Sequence, residues 1–123
     1  MIPPTGSLPA GRILTIAEGV REFLENERLL GRSPATLRCH SNAFRQFEKA
    51  FPDRDVREVT TQELEAYAQD VRKRVSRETA YLYLSSVRAL FRRLAETHRL
   101  LLDPSRAVAL PRMDHRPLGR VFT

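Results

Sequence analysis

The sequence predicts an all-helical bundle of four helices. Apolar residues recur at helical intervals in four successive segments, each segment opens on a Ser or Thr placed as a cap, and no stretch shows the strict alternation of a strand. At 123 residues the chain has room for one small domain with tails, and a second domain of ordinary size does not fit.

Residues 1–14, punctuated by Pro3, Pro4, Gly6 and Pro9, have no clear period and are expected to form a flexible leader. Thr15 and Glu18 then stand in capping-box spacing. Ile16, Val20, Phe23, Leu24 and Leu30 supply the apolar face of a first helix, which Gly31 ends. Ser33 before Pro34 is an N-cap followed by a first-turn proline. Leu37, His40, Phe44, Phe47 and Phe51 form the inner stripe of a second helix that stops at Pro52.

Beyond the turn-forming Pro52-Asp53-Arg54-Asp55, Thr60 and Glu63 repeat the capping-box spacing. Leu64, Tyr67, Ala68 and Val71 face inward on a third helix reaching about Arg74. Ser76 caps a long fourth helix with Ala80, Tyr83, Leu84, Val87, Phe91 and Leu94 inside, expected to run to about His98. Asp103-Pro104 breaks regular structure, a short helical turn fits Ser105 to Ala109, and Pro111 and Pro117 mark an extended linker. The expected division is thus a leader over 1–14, a helical domain over 15–110 and a linker over 111–123.

A composition of 41% hydrophobic and 29% charged residues is that of a globular chain rather than a disordered tail. No apolar run approaches the roughly 20 residues that cross a bilayer. The N-terminus lacks the basic start and apolar stretch of a secretory signal, so a cytoplasmic protein with no membrane partner is expected. Cys39, the single cysteine, can form neither an internal disulfide nor a zinc site with a second cysteine, and reads as a small, partly buried filler.

The net charge of +6 conceals an asymmetry. Met1 to Asp70 carries 9 basic and 11 acidic side chains, whereas Val71 to Thr123 carries 12 basic and 4 acidic. A surplus of this kind attracts a polyanion, and phosphate contacts that release counterions supply most non-specific affinity. Helical spacing puts Arg38, Ser41, Asn42, Arg45 and Lys49 on the outer side of the second helix. It puts Arg77, Tyr81, Ser85, Arg88 and Arg92 on the outer side of the fourth. Arginine can neutralise phosphates while Ser, Asn and Thr, with Thr36 and Thr79 included, reach backbone oxygens or base edges; an α-helix also has the width of the major groove. Arg72, Lys73 and Arg74 cluster with Arg77 where the third helix gives way to the fourth. The helix dipole favours cations there, and phosphate contact is the functional reading.

His40 falls on an apolar stripe and is expected to be a hydrogen-bonded core residue; Tyr67 and Tyr83 are expected to pack inside. The sequence contains no Gly-rich phosphate loop, no metal-ligand constellation among three scattered histidines and one cysteine, and no triad. No catalytic residue, metal, cofactor or small-molecule substrate is expected.

Ordered motifs then narrow the reading. Ser33-Pro34-Ala35-Thr36-Leu37-Arg38 with Phe44 and Phe47, Val59-Thr60-Thr61-Gln62-Glu63-Leu64-Glu65-Ala66-Tyr67, Ser76-Arg77-Glu78-Thr79 and Leu84-Ser85-Ser86-Val87-Arg88-Ala89-Leu90-Phe91 follow one another at the spacings of a known domain. Together with Asp103-Pro104, Val108-Ala109-Leu110-Pro111-Arg112 and Leu118-Gly119-Arg120-Val121-Phe122-Thr123, the series resembles the N-terminal core-binding domain of tyrosine recombinases, the phage integrase family, over about Ile13 to Thr123. His40 departs from the family's tyrosine and Asp103 from its asparagine.

The resemblance implies a four-helix, SAM-like domain that clamps one face of a recombination half-site in double-stranded DNA. Its second and fourth helices would lie in or across the major groove. It implies as further partners the protein's own catalytic domain, which would supply arginine, lysine and histidine activators and a tyrosine nucleophile, and sister protomers. On that reading the chain is one domain excised from a longer protein, a naturally truncated gene being the alternative. The competing class is a stand-alone helical module binding an acidic protein or RNA. A transcriptional regulator is disfavoured, because the second and fourth helices are too far apart for a helix-turn-helix pair.

Overall fold

A computed structural model describes residues 14–111. Four α-helices, α1 (Ile16–Leu29), α2 (Pro34–Ala50), α3 (Thr61–Arg74) and α4 (Arg77–Glu96), form the bundle, with a short 3₁₀ turn at Val56–Glu58 between α2 and α3. Among the described residues there is no strand, only one isolated bridge between Thr15 and Asp55, and no helix is long and apolar enough to cross a membrane. The expected leader and linker lie outside the described residues except at their inner ends, Leu14 and Pro111. Leu14 belongs to the core rather than to a leader: it is buried, and its carbonyl accepts the Val56 amide at 2.9 Å.

All four helix starts form as their cap residues predict. Thr15 Oγ1 accepts the Glu18 amide while Glu18 Oε1 accepts the Thr15 amide, and Thr60 and Glu63 repeat this reciprocal pair at α3. Ser33 and Ser76 accept the amides of Thr36 and Thr79 at the starts of α2 and α4. α1 ends in a Schellman motif at Gly31 (φ 87°), where the Gly31 amide bonds to Arg28 O and the Arg32 amide to Glu27 O. α4 ends the same way two residues sooner than expected. His98 takes the left-handed position (φ 65°), and the His98 and Arg99 amides bond to Ala95 O and Leu94 O.

Packing centres on α2 against α4. Phe44, Phe47 and Phe91 are fully buried, and the Phe47 ring meets Phe91 and Tyr67 edge-on, with centroids 5.9 and 5.2 Å apart. Beyond α4 the chain turns over 104–107 without forming the helix that Ser105 to Ala109 would allow. Asp103 Oδ1 instead accepts both the Ser105 amide and its hydroxyl. Val108 then buries its side chain, and α3 fastens this segment at two places: Thr61 Oγ1 donates to Pro104 O and Arg72 Nη2 to Ala109 O, each at 2.8 Å.

Candidate nucleic-acid interface

The outer face of α2 presents Arg38, Asn42, Arg45 and Lys49 to solvent, with Ser41 half-buried at its edge. Arg45 Nη1 donates to Asn42 Oδ1 at 3.1 Å, which couples a cation to an amide that still has donors to offer. Thr36 is exposed, but its Oγ1 accepts a bond from Ser33 Oγ at 3.0 Å and serves the cap first. Thr79 stands in the same relation to Ser76.

On α4, Arg77 and Arg92 are exposed, while Tyr81 and Arg88 are half-buried. Arg88 borders a small cavity with Leu64, Tyr67, Ser105 and Val108, which accounts for its half-burial. Ser85 corrects the sequence reading. Its Oγ is buried and has no hydrogen-bond partner, so the hydroxyl is not displayed on the outer face as the spacing implied.

At the end of α3, Lys73 is exposed and unpaired. Arg74 donates to Asp70 at 2.7 Å, and this hydrogen bond raises its pKa, so the cluster presents one cation fewer than the sequence count suggests. Arg72 shares an open cleft of about 490 Å³ with Arg77, Ala80 and Pro111, which brings the C-terminal end of α3 and the start of α4 together.

The pairing of charges sorts the basic residues into two populations. Among the described residues, carboxylates pair with Arg28, Arg32, Arg54, Arg57, Arg74, Arg93 and Arg99. Arg21 and Arg106 apart, the Arg and Lys residues left without a carboxylate partner among the described residues are Arg38, Arg45 and Lys49 on α2, Arg72 and Lys73 on α3, and Arg77, Arg88 and Arg92 on α4. All but the half-buried Arg88 are exposed, and unneutralised they set the sign of the local field.

One buried polar group organises the border between α1, α2 and α4. Glu27, 4% exposed, receives Arg32 Nε on Oε1 and Arg93 Nη2 on Oε2, both at 2.8 Å. Burial pushes its pKa up, but hydrogen bonds from the two guanidiniums outweigh that and hold it below the ordinary 4.5. Arg93 also stacks over Phe23 at 5.0 Å, with its Nη1 buried and unpartnered. His40 is hydrogen-bonded as its position implied, but half-buried at the edge of the core rather than within it. Its Nδ1 lies 2.8 Å from Ser86 Oγ, its ring stacks on Phe44, and burial lowers its pKa below 6.5.

Arg92 lines a cleft with His40, Arg32 and Glu27, so the α4 cations border α2 here. The Glu27 hub was not singled out from sequence. Its signal was a carboxylate in register with Val20 and Phe23 on an apolar face, a position that demands a partner.

Residues 18–99 match the family model described as phage integrase, N-terminal SAM-like domain. Comparison with curated proteins and with solved structures finds no match.

Proposed function

Because the chain belongs to the phage integrase family through its N-terminal SAM-like domain, we propose that it is the DNA-binding unit of a site-specific recombinase and clamps one face of a recombination half-site. The outer faces of α2 and α4 meet one duplex together. Arg38, Arg45, Arg77, Arg88 and Arg92 approach phosphates or guanine edges, and Ser41, Asn42, Thr36, Thr79 and Tyr81 supply hydrogen bonds. Arg72, Lys73 and the partly neutralised Arg74 act through phosphates. Ser85 contributes only where its neighbours move to uncover it. Strand exchange belongs to a catalytic domain of the parent protein, with a tyrosine nucleophile, acting with sister protomers in the cytoplasm.

The observation that carries this reading is the sorting of charges: carboxylates neutralise arginines elsewhere and leave the outer faces of α2 and α4 unpaired. Adding a generic duplex oligonucleotide to the labelled chain should shift amide resonances along both faces. Shifts scattered over the surface, or stronger shifts with an acidic peptide or single-stranded RNA, would favour the helical interaction module instead.

A further inference from the structure

The segment that leaves the bundle is held by a residue that also belongs to the cationic surface. Arg72 Nη2 donates to Ala109 O at 2.8 Å, and this uses one of the five donors of a planar guanidinium. The same side chain lines the open cleft with Arg77, Ala80 and Pro111, and among the described residues no acidic residue lines that cleft. Neither arginine has a carboxylate partner among the described residues, and Asp70, the nearest acid along α3, is engaged by Arg74. Two guanidiniums facing one cleft repel each other, and an anion between them would remove the repulsion.

We infer that the Arg72–Arg77–Pro111 cleft is a phosphate site whose occupation tightens the departing segment. The inference rests on the proposed DNA reading for the source of the phosphate, a backbone phosphodiester. Arg72 bridges two acceptors, the Ala109 carbonyl and a phosphate oxygen, and loses freedom at both when the second is filled. Ala109 is followed by Leu110 and Pro111, so fixing its carbonyl fixes the direction in which the chain leaves. Val108, buried and with its amide bonded to Ser105 O at 3.1 Å, reports on that segment. DNA contact and the orientation of whatever follows Pro111 are thereby coupled through one side chain.

The test is amide exchange and NMR on the full chain, titrated with a duplex oligonucleotide and, separately, with inorganic phosphate against chloride at matched ionic strength. Both ligands should slow Val108 exchange by about three- to tenfold and shift the Leu110 amide, whose peptide carbonyl is the Arg72 acceptor. Arg72→Lys, which keeps charge but loses the planar fork, and Arg77→Gln, which leaves the Ala109 bond in place, should both abolish the slowing while only weakening duplex binding.

Duplex binding to α2 and α4 with no change at Val108 would overturn the coupling and leave the DNA reading standing. Slowing by inorganic phosphate without duplex binding would retain the site and overturn the duplex as its source. Absence of both effects would overturn both.

Discussion

Arg93 on α4 reaches across the bundle to Glu27 on α1, with Nη2 donating to Oε2 at 2.8 Å, while Arg32 holds the other carboxylate oxygen. A carboxylate that is 4% exposed is tolerated because two cations and their hydrogen bonds offset its loss of water. The Schellman turn at Gly31 makes this local on one side, since the bond from the Arg32 amide to Glu27 O folds Arg32 back over its partner. Glu27→Ala would leave the half-buried Arg93 stacked on Phe23 with neither Nη1 nor Nη2 paired. We expect a loss of about 3 kcal/mol in urea denaturation. A loss below about 1 kcal/mol would mean that solvent already screens the hub.

His40 gives the fold a pH dependence near neutrality. Burial holds its folded pKa below 6.5, with Glu27 pulling it up and Arg32 pushing it down. A base whose pKa is lowered by folding binds more protons when unfolded. Its contribution is therefore complete above about pH 6.5 and lost as pH falls through the lower, folded value. Stability should fall as pH drops below about 6.5, and His40→Asn, which retains an acceptor near Ser86, should flatten that decline. An unchanged slope in the variant would remove His40 as its source.

At lower pH the carboxylates take over. Hydrogen bonding to Arg54 and to the Thr60 amide holds Glu63 at about 2, and bonding to Arg57 lowers Asp55. Acids depressed by folding stabilise above their ordinary pKa and cease to do so as pH falls toward the folded value. Thermal melts should therefore show a second decline from about pH 4.5 to about 2. Glu63→Gln should reduce that decline.

Gly19 sits inside α1, where a Cβ would lie 3.7 Å from Leu94 Cδ1 and from Val56 Cγ1, an ordinary contact distance. Alanine there removes the helix penalty of glycine and meets no obstruction. Gly19→Ala should raise stability by about 1 kcal/mol, read as a higher urea midpoint at unchanged slope. Destabilisation would show that contact with Leu94 and Val56 costs more than the helix penalty of glycine.

The helix starts were legible because capping is local: Thr15 with Glu18 and Thr60 with Glu63 are three residues apart and need no tertiary partner. The end of α4 was not, because His98 occupies the left-handed position that glycine or asparagine usually marks. Glu27 was visible as a charge on an apolar face, but Arg93 lies 66 residues away and spacing cannot select it among many arginines. The same limit hid the Arg72 bond to Ala109 and the burial of Ser85 Oγ, which depend on how segments meet rather than on helical period. Which arginines remain unpaired is likewise a property of the folded molecule alone.

The most direct test of the central claim is duplex affinity measured across a range of salt concentrations. The seven unpaired cations assigned to the duplex, Arg38, Arg45, Arg72, Lys73, Arg77, Arg88 and Arg92, predict a slope of log K against log salt of about −6, reduced by about 0.9 for each of Arg38→Ala, Arg45→Ala and Arg77→Ala. The paired Arg28→Ala and Arg99→Ala should leave it unchanged. A flat salt response, or equal losses from the paired and unpaired sets, would contradict the account.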